Sequence, residues 1–221
     1  MKLRLANEDI ELLPQKAFYW HSQRLLGLSD VHLGKAESYQ HAGVPIPSGD
    51  HRDDLARIAN LVESLKAQKV VVLGDWIHNR FSLSSLVRED LHVFFKEFSH
   101  VHWTLLLGNH ERGAYEALQD LPFHMVVEDL RIGPFLFTHG HKYRNEELFQ
   151  IQGHTHPLIA VHEGPLRLKL PCFLLEKNCL TIPAFGSLTG GYAVRPGKAD
   201  RVFAIANGEI FEIRPRLSGR R

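Results

Sequence analysis

Residues 105–113 read LLLGNHERG, an apolar run that stops at Gly108 and turns at once into Asn109, His110, Glu111 and Arg112. Trp103 to Leu107 suits a strand buried on both faces. A glycine followed by polar residues suits the loop at its carboxyl end, where open α/β sheets place their ligands. A single exit of this kind would equally describe a strand that merely reaches the surface. The pattern, however, recurs four more times. LLGLSDVHLGK (25–35) runs into Asp30 and His32, and KVVVLGDWIHNR (69–80) into Gly74, Asp75 and His78. FLFTHGHKYR (135–144) ends in His139 and His141, and FQIQGHTHP (149–157) in His154 and His156. Apolar segments that all deliver Asp, Asn or His predict strands whose ends meet at one place.

Around these stretches the first half alternates strand and helix. A β meander is expected over Lys2–Leu5, Ile10–Leu13, Ala17–Trp20 and Leu25–Ser29. Ser48 to Asp50 should cap a helix whose apolar positions, Leu55, Ile58, Ala59, Val62 and Leu65, follow the 3.6-residue period, and a strand, Val70 to Leu73, follows it. Ser82 or Ser84 should start a second helix with Leu86, Leu91, Phe94, Phe95 and Phe98 as its apolar positions. Such alternation argues for βαβ units. After His139 the helical signal fades into short strands broken by Gly-Pro and Lys-Asn turns, with a hairpin of Arg201–Ile205 and Glu209–Ile213 around Ala206-Asn207-Gly208. The expected fold is α/β (α+β), two mixed β-sheets packed face to face with helices outside. It should form a single domain over 1–221 with a loose tail at about 215–221.

Bulk composition narrows the function classes. Of 221 residues, 44% are hydrophobic and 23% charged, enough apolar material for a sizeable core. No apolar stretch is long enough to span a membrane, and the charged opening MKLRLANEDIELL does not resemble a signal peptide, so a cytoplasmic protein with no membrane partner is expected. A net charge of +1 gives no general attraction to polyanions, so any such partner must be recognised locally. Cys172 and Cys179 stand outside any CxxC pair and read as reduced core residues. The unusual figure is 15 histidines; histidine is both the commonest metal ligand and the usual acid or base near neutral pH.

Asp30 and His32 are two residues apart, as are His154 and His156, so each pair could converge from one strand end. Asp75 and Asn109 add oxygen donors and His139 adds nitrogen. These donors exceed what one zinc ion requires but suffice for two divalent ions if one carboxylate bridges them. Mixed nitrogen and oxygen ligands fit Mn²⁺, Fe or Zn²⁺ alike, with availability deciding among them; two divalent ions per chain are expected, and manganese is the first choice.

Asp-x-His, Gly-Asp, Gly-Asn-His-Glu, a histidine after a strand, and Gly-His-x-His occur in that order from Asp30 to His156, and this set resembles the calcineurin-like metallophosphoesterase superfamily. The resemblance implies its four-layer fold, with Asp30, His32, Asp75 and His156 on one metal and Asp75, Asn109, His139 and His154 on the other. It makes His110 the catalytic histidine beside the leaving group, with Asp75 and Asn109 acting through the metals. FYWHSQRLLGLSDVHLGK, GVPIPSGD, GDWIHNR, LPCFLL and LTIPAFGSLTGG are further similar to the ligase-associated, PdeM-type branch, a DNA-damage-response endonuclease branch, which implies nucleic acid as substrate and DNA-repair partners. His141 departs from that branch, which commonly shows a plainer segment after the ligand histidine.

In two-metal sites, ions roughly 3.5 to 4 Å apart polarise a phosphoryl oxygen and activate water for in-line attack. The expected activity is therefore hydrolysis of phosphodiester bonds in nucleic acid or a nucleotide. Alternatives are a small-molecule phosphomonoesterase or nucleotide pyrophosphatase and, from another class, a non-catalytic scaffold on the same fold, against which the intact ligand set and His110 argue. Candidate substrate contacts are Lys35, Arg80, Arg112, Lys142 and Arg144, which follow the motifs as an anion-binding rim or as ordinary loop charges. His78 and His141 either orient a ligand or contact substrate, or are solvated loop histidines. The glycine-rich GSLTGG (186–191) could approach a phosphate or form a plain turn, and Arg214, Arg216, Arg220 and Arg221 could touch a polyanion or only keep the tail soluble. The histidines at 21, 41, 51, 92, 100, 102, 124 and 162 are read as structural.

Overall fold

The computed structural model describes residues 1–126, 129–140, 147–163 and 166–213. The meander forms as expected: β1 (Lys2–Leu5), β2 (Glu8–Leu13), β3 (Ala17–Trp20) and β4 (Leu25–Leu28) pair antiparallel in sequence order. Helices α1 (Lys35–His41) and α2 (Asp50–Leu65) then lead to β5 (Lys69–Val72), and α3 (Ser85–Glu97) leads to β6 (His102–Leu106), followed by β7 (His124–Val126). Strands β4 to β7 run parallel to one another, so the βαβ reading holds and this sheet has the order β1-β2-β3-β4-β5-β6-β7.

The rest of the described chain is β. β8 (Leu130–Ile132), β9 (Phe135–Thr138), β10 (Phe149–Gln152), β11 (Pro157–Glu163), β12 (Leu166–Glu176), β13 (Cys179–Thr181) and β14 (Tyr192–Ala193) form a second mixed sheet in the order β14-β11-β12-β13-β10-β9-β8. The hairpin of β15 (Arg201–Ala206) and β16 (Glu209–Ile213) joins it through β12. Strands β9, β10 and β13 are parallel.

Two apolar layers explain the stacking. One face of the first sheet, with Leu26, Leu28, Val70, Val72 and Leu105, packs on the stripe Ile58, Leu61 and Val62 of α2 and on Leu91, Phe94 and Phe95 of α3. Its other face, with Leu12, Phe18, Trp20, Val71 and Leu106, packs on Phe135, Phe137, Ile151, Phe173 and Phe203 of the second sheet. Trp20 meets Phe135 edge-on at 4.9 Å between ring centres, an aromatic pair that adds about 0.5–1.5 kcal/mol to its area burial. Cys172 and Cys179 are buried and unbridged, as read from the sequence.

Two local expectations fail for identifiable reasons. Gly49, left-handed at φ 114°, takes the cap position of α2 and has no side chain to cap with, while Ser48 stands one residue earlier, its hydroxyl accepting from Gln40 Nε2 at 2.9 Å. Leu86 is exposed, since the buried stripe of α3 runs Val87, Leu91, Phe94, Phe95 and Leu86 lies one residue off it. Ser84, rather than Ser82, caps α3, accepting from Val87 N. Helix α1 has seven residues, too few to show a period in the sequence.

Candidate active site

The five motif loops leave the carboxyl ends of parallel strands in both sheets: β4, β5 and β6 in the first, β9 and β10 in the second. Stacking the sheets brings these ends together. The backbone then departs from strand geometry: Asp30, His32, Asp75, His154 and His156 all adopt left-handed φ values between 43° and 70°. Asp and His tolerate this region better than branched residues do, and the twist lets residues two apart point at a common centre. The loops after β4 and β5 are laced together, with Asp30 N donating to Gly74 O, His32 N to Asp75 O and Leu33 N to Trp76 O at 2.8–3.0 Å. Gly74 and Gly108 admit this closeness, because a Cβ on Gly74 would enter the His139 ring and one on Gly108 would enter the Asp75 carboxylate.

All seven candidate ligands converge. His139 Nδ1 donates to Leu73 O at 2.7 Å, which aims Nε2 inward, and Nε2 lies 3.1 Å from Asn109 Oδ1, 3.1 Å from His154 Nδ1 and 3.5 Å from Asp75 Oδ2. Asp75 Oδ2 is also 3.8 Å from His32 Nε2, while Asp30 Oδ1 faces His156 Nε2 at 3.1 Å. Among the seven candidates, two groups have their ligand atoms within 4.8 Å of one another: Asp30, His32 and His156, and Asp75, His139 and His154; His32 forms another such group with His78 and His110.

The donor chemistry fits a pair of divalent cations. One imidazole N–H cannot serve three acceptors, whereas a cation can take every lone pair. Asp30 Oδ1 and His156 Nε2 are buried and, although 3.1 Å apart, make no well-aligned hydrogen bond to each other or to any other described residue. Asp75, with one oxygen facing both groups, could bridge. Its carboxyl resists protonation: burial favours the neutral acid, but the His139 hydrogen bond and the surrounding imidazoles outweigh it and hold the group well below the usual range. Burial likewise opposes a charged His139, yet Asp75 pushes that ring up to about 9. Burial depresses His32 to about 3 against the pull of Asp75 and Asp30, leaving it neutral and ready to ligate.

His110 sits differently. Its Nδ1 bonds the His78 carbonyl, its backbone N–H donates to Asp75 Oδ1 at 3.1 Å, and its side chain is 30% exposed with Nε2 3.8 Å from Asp75 Oδ2. With Nδ1 held by a carbonyl, Nε2 carries a proton only on the charged ring, the form that could donate to a departing oxygen. His78 is half-buried with its ring 5.1 Å from that of His110, and burial lowers it to about 4. Lys35 opens α1 half-buried, while Arg80 and Arg112 are exposed. His141, Lys142 and Arg144, like Arg214, Arg216, Arg220, Arg221 and the tail at 215–221, lie outside the described residues.

Two features went unread in the sequence. Glu111, fully buried, accepts from Gly108 N at 2.9 Å, Asp75 N at 3.0 Å and Ile77 N at 3.3 Å, so one carboxylate ties the loop after β6 to the loop after β5. Its place in GNHE was the available signal. Tyr192, 75% exposed, shares a cleft of about 490 Å³ with Asp75, Asn109, His110, His154, Thr155 and His156. It follows GSLTGG, which is a pinned loop: Asp54 of α2, paired with Arg57 at 2.8 Å, accepts from Ser187 N and Oγ.

Residues 23–200 match the family described as calcineurin-like phosphoesterase. The crystal structure of a nuclease, MPE, from Pseudomonas putida is similar with a TM-score of 0.83 at 28% identity, covering 96% of this chain and 99% of that one. YfcE, a phosphoesterase from E. coli, aligns with a TM-score of 0.44 at 17% identity over 86% of this chain and 98% of its own. Among curated proteins no sequence matches. With its family match spanning most of its length, the chain belongs to the calcineurin-like phosphoesterase family of metal-dependent hydrolases.

Proposed function

We propose that this protein is a phosphodiesterase acting on nucleic acid or a nucleotide, with Asp30, His32, Asp75 and His156 holding one divalent ion and Asp75, Asn109, His139 and His154 the other. Manganese is the proposed metal, and a place in DNA repair follows from the ligase-associated resemblance. When bound, the ion pair supplies charge neutralisation at the phosphoryl group and water activation. The chain's own residues do the rest. Asn109 offers a neutral amide oxygen without adding negative charge beside a phosphate. His110, braced by the His78 carbonyl, faces the opening and protonates the departing oxygen.

The observation that carries the substrate class is the rim of rings and cations around this opening. From His110 the rings continue through His78 to Tyr39, 5.9 Å apart, with Lys35 over the Tyr39 ring. Three residues on from His78, Phe81 is stacked on His41 at 3.9 Å with Arg80 over its ring at 4.6 Å, and Tyr192 lines the cleft itself. Tyr39, Phe81 and Tyr192 are all at least 36% exposed. Aromatic faces interleaved with cations are what unstacked bases and their phosphates bind, base stacking being worth about 1–3 kcal/mol each. The similarity to the Pseudomonas nuclease supports the same reading.

The test compares an oligonucleotide with bis-(p-nitrophenyl) phosphate, in manganese and in chelator. Tyr192→Ala and Arg80→Glu should raise KM for the oligonucleotide about tenfold and leave that for the aryl diester within about twofold, since the latter has no flanking base or phosphate to lose. Equal effects on both substrates, or wild-type preference for an aryl monoester with no action on nucleic acid, would replace this reading with a small-molecule phosphatase.

A further inference from the structure

Outside the site just described, one cluster of buried side chains lacks, among the described residues, the partners its chemistry demands. Glu37 of α1 is 8% exposed and both its carboxylate oxygens are without hydrogen bonds. His51, in the first turn of α2, is wholly buried with Nδ1 unpartnered and 3.8 Å from Glu37 Oε1. Asp50 beside it has Oδ1 buried and unpartnered. The ligand atoms of these three residues lie within 4.8 Å of one another.

His51 shows what the cluster lacks. Its Nε2 bonds Asp90 Oδ2 of α3 at 2.8 Å, and Asp90 is itself held by Arg52 Nε at 2.7 Å. When Nε2 donates to that carboxylate, the neutral ring turns a bare lone pair at Nδ1 toward another carboxylate, a repulsive contact unless a cation lies between them. A carboxylate that fixes the far nitrogen of an imidazole is the usual support for a metal-ligating histidine, since it sets the tautomer and raises the basicity of the inner nitrogen.

We propose that Glu37, Asp50 and His51 form a third divalent-cation site, distinct from the pair at the strand ends. The spacing suits one. With metal–ligand bonds of about 2.0–2.2 Å, two ligands on one ion stand roughly 3.4 Å apart in a tetrahedron and about 4.2 Å apart when opposite. The 3.8 Å between Glu37 Oε1 and His51 Nδ1 falls inside that range, and since no pair among the three exceeds 4.8 Å, side-chain movements of at most about 1.4 Å bring them to tetrahedral spacing. Two carboxylates and one imidazole favour a transition-series ion that accepts nitrogen as well as oxygen, Zn²⁺ or Mn²⁺, over Ca²⁺ or Mg²⁺. The site joins α1 to the start of α2 and, through Asp90, to α3. It thereby fixes the helix that presents Lys35 and Tyr39 to the rim. The role is structural and independent of the substrate proposed above.

Metal-stripped protein equilibrated by dialysis against Mn²⁺, and in a separate arm Zn²⁺, tests this through metal per chain by elemental analysis. Wild type should hold one ion more than Glu37→Gln and one more than Asp50→Asn in at least one arm. Both variants should hydrolyse bis-(p-nitrophenyl) phosphate within about twofold of wild type, since neither residue touches the reacting atoms. Circular dichroism checks folding, and Asp50→Asn, isosteric and at a partly exposed helix start, serves if Glu37→Gln does not fold. Equal stoichiometry in wild type and variants in both arms overturns the proposal and leaves the cluster to a charged His51 or bound water.

Discussion

Glu111→Ala and Glu111→Gln separate what the buried carboxylate does from where it sits. One oxygen, Oε2, accepts from both Asp75 N and Gly108 N, while Oε1 accepts only the longer bond from Ile77 N. A glutamine whose carbonyl takes the Oε2 place keeps two bonds and sets its NH₂ against one N–H. The expected loss is about 1–2 kcal/mol, the lower part of the range for one unsatisfied buried donor. Alanine strands all three donors. At about 1–3 kcal/mol each, reduced because a water can enter the space, the expected loss is about 3–5 kcal/mol, a large part of a typical domain's 5–15. Urea unfolding followed by far-UV circular dichroism in chelator measures both without metal linkage. An alanine variant within 1 kcal/mol of wild type, or a glutamine variant as damaged as alanine, refutes the argument. Burial and the Asp75 charge raise Glu111 from the ordinary 4.5 to about 7. Its folded value thus lies above its unfolded one, and the associated stability is complete below 4.5 and lost as pH rises through about 7. Glutamine cannot titrate, so the stability of metal-free wild type relative to Glu111→Gln should fall across that window.

Asp75→Asn should lower metal content together with activity, because one oxygen faces both ligand groups; two tightly held ions per chain in the variant would count against a bridge. His110→Ala should leave metal content near normal while kcat falls roughly 10² or more, and parallel loss of metal and rate would make His110 a ligand. Because Asp75 raises His139 to about 9, an entering ion must displace that proton at lower pH. Apparent metal affinity should accordingly rise with pH until about 9, and a flat profile from pH 6 to 9 in a metal titration would show that His139 is not ligated.

The strands and the convergence of their ends were legible because burial on both faces writes a continuous apolar run, as in Val70–Val72 and Trp103–Leu106, and a functional loop then breaks it abruptly. What the sequence hid were contacts between distant segments. Nothing local marks Asp54 as the anchor of Ser187, 133 residues away. Nor does anything local show that His51, read as structural, faces Glu37. The cap of α2 failed for a related reason: Ser48 has the right chemistry, but the chain puts Gly49 at the cap position and turns Ser48 toward Gln40. Leu86 misled because an apolar residue at a helix start looks like core until the stripe through Val87 and Leu91 fixes the face.

Core and candidate site obey opposite rules. In the core each local choice agrees with the fold: buried strands are apolar and the α2 and α3 stripes face their sheet. At the strand ends the agreement breaks down, with left-handed backbone at five of the seven candidate ligands, buried carboxylates, and imidazole nitrogens of His139 and His154 3.1 Å apart. Strained backbone of this kind costs on the order of 1–3 kcal/mol per residue and persists only where the surroundings enforce it. Here the enforcement is visible in the laced loops after β4 and β5, in Glu111 and in the apolar layers on either side of the first sheet. A divalent ion would relieve the polar conflicts but not the strained backbone. Metal binding should therefore act as folding free energy at this edge while the sheets themselves stand without it.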